Sequence, residues 1–548
     1  MRSKYFIGFC VLLFHVFASA TAANILSLIE VLEPDQQIWY DALFKGLIGR
    51  GHTLTVVSGN ARPTKSSHIT QIHLDEIAKT LRQNNSPKLF SNTWLSPFEQ
   101  LFYWYDRQMK ICQSVLSSDG LQELIELAPS QSEEQQPYDL ILYDATYGPS
   151  CLLLLTELFK NVPIVGVSAS QITPDLLSVA RGSQVQPATV PHFLTAHSEN
   201  MNFFVRLHNT IIYAMGDFFR KYVVTSVQEA MLAKSEWLKE AQIKPKLENI
   251  IERIKVVLVN SHPSIDYVHS LPPNVVEVGG LQFDNFNRAV SVDIQTFIDN
   301  SKGVFVITIS DVESPHVIET VTQTVDKFPE YGFIWGAEKG SLPAVGSRAN
   351  LFVGKWLKRS VVLAQHKVRA LITTGSHMEI QEAVYHGVPV IAISHGLDNI
   401  AQHAQDLGFG IKVDLRVDPG MLTNAIQVLT SDGNFSEIAK SRQLAFRIRP
   451  QHPLDTALWW IEHVIANPIE TGYIFSQAVA ETSFFVLHSL DVMAVFAFTF
   501  AMFLINSYIV FKQLKESCKP KKQTENSVKT ISSNRKPKKA ERNKKKSE

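Results

Sequence analysis

Thr374, Gly375, Ser376, Glu379 and Glu382 crowd two hydroxyls, a glycine and two carboxylates into one short stretch. Hydroxyls and backbone N–H groups after a glycine turn can hold an anion at a helix N-terminus, and a carboxylate in that first turn can take the same donors for itself as a cap. The stretch reads as a strand from Ala370 to Thr373, a tight turn at Gly375, a helix ending near His386 with Gly387 as its stop, and a buried strand from Val388 to Ile393. Two short apolar runs about one helix form a βαβ unit with parallel strands. Ligands of such units sit at the C-terminal ends of strands, so a ligand belongs beside Thr374, Gly375 and Ser376.

The stretch resembles the signature of the UDP-glycosyltransferases, the membrane-bound family that includes the UDP-glucuronosyltransferases. Members usually read Ile-Thr-His-Gly-Gly, five variable positions, then Glu-Ala-Val-Tyr-His-Gly-Val-Pro. This chain keeps Ile372, Thr373, Gly375 and the run from Glu382 to Pro389, with Thr374 for the His and Ser376 for the second Gly. The resemblance runs from Ala23 to Lys515 and includes Asp455-Thr-Ala-Leu-Trp-Trp-Ile-Glu-His463 and His488-Ser-Leu-Asp-Val492. It implies a UDP-sugar as co-substrate without a cofactor, and transfer of a hexose or glucuronic acid to a small lipophilic acceptor.

Such transfer needs a platform for uracil and ribose, donors for the diphosphate and a base for the acceptor hydroxyl, with about 3 kcal/mol of transition-state stabilisation per well-placed donor. The resemblance assigns the platform to Trp356, which is equally suited to a buried core. Arg359 replaces a Gln that contacts the nucleotide, and a guanidinium donates but cannot accept. Glu382 falls on the acidic residue of the ribose hydroxyls. Ser310 and Asp311 stand at a Gly-Ser turn after a strand, and Glu379 stands for a Ser. Asp398 and Asn399 match an Asp-Gln pair for the sugar hydroxyls. Thr374, Asp311 and Glu379 all remove positive charge from the phosphate place or add negative charge to it.

On the acceptor side the resemblance places the catalytic His at Gln36, and an amide takes no proton at neutral pH. Asp144 falls on the carboxylate that orients that His, and Asp35 is the substitute base. The His residues of the second half (His366, His377, His386, His395, His403) show no pair at helix-face metal spacing, so no metal is expected. Two readings stand: an active transferase, and a catalytically inactive relative that binds a lipophile or regulates a partner.

These residues need a scaffold. Strand-like runs alternate with helical stretches in both halves, which implies an α/β fold of two doubly wound Rossmann-like domains facing a cleft, the GT-B type in family terms. The expected limits are a signal peptide over 1–22, an acceptor-binding domain over 23–280, a UDP-sugar-binding domain over 281–466, a membrane-proximal segment over 467–491, a transmembrane helix over 492–511 and a basic cytosolic tail over 512–548. The first segment has Arg2 and Lys4, an apolar run and small residues near Ala20 and Ala22, as secretory signals do. Val492 to Phe511 is uncharged and long enough to cross a bilayer. The tail carries fourteen Lys/Arg against four Asp/Glu, which marks the cytosolic side.

Lys545 and Lys546 resemble a dilysine retrieval signal, so the expected address is the endoplasmic reticulum membrane, single-pass type I, with a lumenal body. The two ends carry +12 of a net charge of zero, which leaves the body at about −12. Long-range steering of an anionic donor is therefore absent, and the tethered basic tail argues against nucleic acid as a partner. Cys112 and Cys151 are the lumenal cysteines, enough for one disulfide at most. Asn84 and Asn434 head glycosylation sequons. The aromatic region between roughly residues 90 and 240 suits an apolar acceptor pocket. A homo-oligomer or a hetero-oligomer with other transferases stays open as a further partner.

Overall fold

The computed structural model describes residues 22–30, 34–59, 66–83, 95–129, 136–236, 246–283, 289–309, 315–337, 345–355, 358–394, 399–415, 417–468, 484–487 and 489–517. Outside these residues lie nearly all of the expected signal peptide, Asn84, Ser310, Asp311, Trp356, Asp398, much of the 467–491 segment, and the tail from 518 onward. Met1–Ala480 forms one compact unit and Glu481–Glu548 another.

The larger unit holds two parallel sheets. The first contains β1 (Asn24–Ile29), β2 (Thr53–Ser58), β3 (Ile69–His73), β4 (Leu140–Asp144), β5 (Ile164–Ser168), β6 (Ile254–Val259) and β7 (Val275–Glu277), in the order β3-β2-β1-β4-β5-β6-β7. β4 and β5 are buried at every position, and β1 at all but its first. A strand covered by helices on both faces has no polar side to alternate, which is why Leu140-Ile-Leu-Tyr reads as one apolar run. The second sheet contains β8 (Val304–Ile307), β9 (Gly332–Ala337), β10 (Leu351–Lys355), β11 (Val368–Thr373), β12 (Val390–Ile393) and β13 (Gly410–Val413), in the order β10-β9-β8-β11-β12-β13. Both sheets are wound in opposite directions from a central pair, β1/β4 in one and β8/β11 in the other. A crevice opens at the C-terminal ends of each such pair.

The helices that bear on function are α1 (Pro34–Gly49), α2 (Ser96–Leu116), α3 (Phe203–Phe218), α4 (Arg359–Leu363), α5 (His377–His386), α6 (Asn399–Asp406), α7 (Pro453–Ala466) and α8 (Leu490–Ser517). α1 starts beyond β1 and α5 beyond β11, so the first turn of each lies at a crevice. α5 ends as expected on Gly387, whose φ of 69° is left-handed backbone that a Cβ disfavours. α7 returns to the first half, where Ala457, Leu458, Ile461 and Val464 pack in one cluster with Ile25 and Leu142. Met378, in the first turn of α5, joins that cluster, so the second sheet's site helix is pressed against the first half. Cys112 of α2 and Cys151 form a disulfide, with Cα atoms 5.3 Å apart. α8 has a mean hydropathy of 2.0 over its most apolar window, and no residue of it is buried. At 1.5 Å per residue it is about 42 Å long, more than a bilayer core requires. It exceeds the expected 492–511 because the helix continues through Lys512 to Ser517.

Candidate functional site

β11 delivers Thr373 to the crevice of the second sheet. Gly375 follows with a φ of 90°, a backbone conformation that lets the chain turn sharply into α5. The Gly375 N–H donates to Thr373 Oγ1 at 3.0 Å. Ser376 occupies the N-cap position of α5, yet its side chain makes no cap bond. Its hydroxyl instead donates to Asp35 Oδ2 of α1 at 3.2 Å, reaching across to the first half.

Arg359, the first residue of α4, gathers the remaining charges. Its Nη1 donates to Glu379 Oε1 at 2.6 Å, its Nε donates to Glu382, and its Nη2 lies 3.6 Å from Asp35 Oδ1. Thr373 Oγ1 donates to the other oxygen of Glu379. Of the roles open to a first-turn carboxylate, Glu379 takes the side-chain partners rather than the helix N–H groups. Its carboxylate finds a guanidinium and a hydroxyl, and a charge-assisted bond outcompetes a neutral amide. Glu382 is likewise engaged with Arg359. Both glutamates are buried. Burial pushes the Glu379 carboxyl up to about 7; Arg359 opposes that rise and Asp35 adds to it. Burial acts to lower the Arg359 guanidinium, but Glu382, Asp35 and Glu379 outweigh it and raise it well above its ordinary value. One cation thus faces three acidic side chains about the first turn of α5.

The crevice of the first sheet holds Gln36, Asp144 and Glu30. Gln36 lies in the first turn of α1, and its Nε2 donates to Ser170 Oγ at 2.8 Å. Asp144, at the end of β4, accepts from the Thr146 N–H at 3.1 Å. Burial pushes Asp144 up to about 6 against the hydrogen bonds from Thr146. Glu30, just past β1, accepts from the Leu152 N–H at 3.3 Å. Burial raises it to about 7, with Ser150 and the Leu152 amide opposing and the Asp144 charge assisting. A strand-end carboxyl at Glu30 was not among the expected site residues, since nothing in its local sequence sets it apart from a strand terminus.

A small cavity, with room for about one water molecule, lies in the first half where Asn399 of the second half meets it. Ile172, Pro174, Phe193 and Tyr213 make its apolar wall, while Asp266, His269 and Asn399 supply polar groups. Asn399, expected at the sugar hydroxyls, accepts through Oδ1 from Gln171 Nε2 at 3.3 Å, and its carbonyl accepts from the Tyr267 hydroxyl at 3.3 Å. His269 is partly buried, and burial drops its imidazole to about 4, so the ring is neutral at physiological pH. Asp266 is bonded to His377 Nε2 at 2.8 Å and accepts from the His262 N–H at 2.9 Å. Burial tends to raise Asp266, but His377 holds it below the usual carboxylate value. His377 and Asp266 lie 111 positions apart, so no local spacing announces the pair. Asn434 begins an outer helix and is exposed. Among the described residues no three His, Cys, Asp or Glu side chains are grouped to hold a metal.

Comparison with known proteins agrees with this layout. The family model described as "UDP-glucoronosyl and UDP-glucosyl transferase" matches residues 35–527. UDP-glycosyltransferase UGT5 of Dactylopius coccus is 26% identical over 461 residues, covering 82% of this chain and 84% of its own length. UDP-glucuronosyltransferase 2B10 of Homo sapiens is 25% identical over 503 residues, covering 87% and 90%. Among solved structures, the calicheamicin glycosyltransferase CalG4 aligns with a TM-score of 0.51 at 16% identity, over 82% of this chain and 99% of that one. The glycosyltransferase VinC, in complex with dTDP, aligns with a TM-score of 0.50 at 14% identity, over 81% and 100%. Likeness at this level speaks for the architecture, the GT-B arrangement of two Rossmann-like sheets. The family's co-substrate is a UDP-sugar, and its chemistry needs no cofactor. Because the family match covers residues 35–527, from α1 through the Arg359 cluster to the apolar C-terminal helix, this chain belongs to the UDP-glucuronosyl and UDP-glucosyl transferase family.

Proposed function

We propose that the protein is a membrane-anchored, lumen-facing transferase of the endoplasmic reticulum that moves a hexose or glucuronic acid from a UDP-sugar to a small lipophilic acceptor. The observation that carries this reading is the meeting of the two crevices at the first turn of α5, where Asp35 of the first half accepts from Ser376 and lies 3.6 Å from Arg359 of the second. In this scheme the acceptor oxygen attacks the anomeric carbon, the bond to UDP breaks, and UDP leaves with the electron pair. Asp35 takes the acceptor's proton, a role supported by its place between the two crevices, bonded to Ser376 and beside Arg359. Arg359, released from Glu379 and Glu382, would neutralise the departing diphosphate. The expected domain limits at 280 and 466 belong to the same proposal. The Cys112–Cys151 disulfide suits an oxidising lumen. The exposed Asn434 suits a glycosylated one.

A second reading, a catalytically silent lipophile-binding or partner-regulating relative, is favoured by one arrangement. Arg359 is already engaged by three carboxylates, and Gln36 stands where the base should be. The deciding experiment is a donor-by-acceptor screen in microsomes containing the full chain, run beside Gln36→His. Turnover by the parent with any UDP-sugar supports transfer. An inert parent that still retains a lipophile supports the silent relative.

A further inference from the structure

α5 begins with a histidine to which the family signature gives no part, since His377 is the first of its five variable positions. The fold does give it a place. The side chain is 9% exposed, and its Nε2 lies 2.8 Å from Asp266 Oδ1. Asp266 stands in the loop between β6 and β7, so the pair ties the second half to the first. Burial works to raise the Asp266 carboxyl, but His377 keeps it below its ordinary value, and it is a carboxylate at neutral pH. A carboxylate only accepts, so Nε2 carries a hydrogen.

The other ring nitrogen has a different fate. Nδ1 of His377 is buried and has no hydrogen-bond partner among the described residues. Buried polar atoms are nearly always bonded, so one that is not calls for a cause. Covalent geometry says where it lies. In a helix the Cα–Cβ bond tilts towards the N-terminus, and Nδ1 is the ring nitrogen joined to Cγ. With Nε2 drawn away to Asp266, Nδ1 stays beside the first turn of α5. Ser376 gives that turn no cap bond, its hydroxyl being turned to Asp35. Uncapped N–H groups, the positive end of the helix dipole and a buried imidazole nitrogen therefore share one place. Thr374, Gly375 and Ser376 beside it are half-buried rather than sealed.

We propose that His377, protonated and backed by Asp266, binds the diphosphate of the donor at the first turn of α5. The inference rests on the reading of this crevice as the donor site of a UDP-sugar transferase. A second proton turns Nδ1 from a lone pair into a charged N–H donor, from which a phosphate oxygen accepts. Asp266 acts as a positioning residue, holding the ring and offsetting its charge from behind. The positive charge that Thr374 cannot supply then comes from three places further on. Other charges bear on the pair. Glu379 shares its helix, with Asp35 and Arg359 facing the same turn, while His403 of α6 and Glu277 of β7 act on Asp266.

The test is calorimetry of UDP binding to the full chain in detergent. His377→Gln keeps a donor for Asp266 but cannot be charged, and it should bind UDP about tenfold more weakly than the parent. His377→Arg keeps both the donor and the charge, and it should regain most of that loss. Asp266→Asn should weaken UDP several-fold by itself and add little to His377→Gln, because the two side chains act as one unit. A His377→Gln chain that binds UDP as the parent does overturns this inference and leaves the transferase reading standing. An equal loss in His377→Gln and His377→Arg does the same, since packing rather than charge would then be responsible. A parent that binds no UDP sinks this inference and the transferase reading together.

Discussion

Arg359 is where the two halves of the site meet, and its partners set the charge that any nucleotide encounters. Removing one of the three carboxylates should favour an anion. Glu379→Ser is expected to raise UDP affinity about tenfold, a change of roughly 1.4 kcal/mol, read by calorimetry on the full chain in detergent. Equal affinity in parent and variant would mean that Glu379 does not face the diphosphate. The pH dependence has a definite sign. Burial lifts the Glu379 carboxyl to about 7, so it is largely neutral at a pH one unit below that and charged one unit above. UDP binding to the parent should therefore weaken as pH rises through about 7, more steeply than binding to Glu379→Ser. The positions of Glu379, Glu382 and Arg359 were legible because they fall in or near a motif with fixed spacing. Their mutual bonds were not. Asp35 meets Ser376 across 341 positions, and only the folded chain brings them together. That Glu379 turns to a guanidinium instead of capping its helix was hidden for the same reason, since Arg359 lies 20 positions away.

At the scale of elements, the βαβ unit about α5 was readable from its apolar runs and its glycine stop, because local physics dictates both. The strand order was not readable, since parallel pairing is decided by contacts far apart in the chain. The Cys112–Cys151 bond is of the second kind. It ties α2 to the short helix Cys151–Leu155 beneath the first sheet, closing a separation of 39 residues. Replacing both cysteines with Ala should lower stability by about 2–5 kcal/mol, seen as a lower urea midpoint without any change in the far-ultraviolet spectrum of the native state. An unchanged midpoint would show that the bond does not form. The switch points of the two sheets then explain why helices of unrelated sequence, α1 and α5, carry the candidate site residues in the same place, their first turn.

At the scale of the whole molecule, three carboxyls among the described residues are pushed far above their usual range. Burial lifts Glu30 and Glu379 to about 7 and Asp144 to about 6. In an unfolded chain these groups release their protons near pH 4. Between those values the folded chain keeps protons that the unfolded chain has lost, so stability falls as pH rises through that window and levels off above about 7. Melting temperature should drop from about pH 5 to about pH 8, and Glu30→Gln should flatten part of the slope. A curve rising over that range would contradict the burial of these groups.

Asp35 also has a mechanical meaning. It springs from the helix after β1, yet it holds Ser376 and faces Arg359 from the other sheet. The same charges that greet a visitor also bolt the door. On the proposed reading a nucleotide enters only after that bolt slides, so its observed association rate should level off as nucleotide concentration rises.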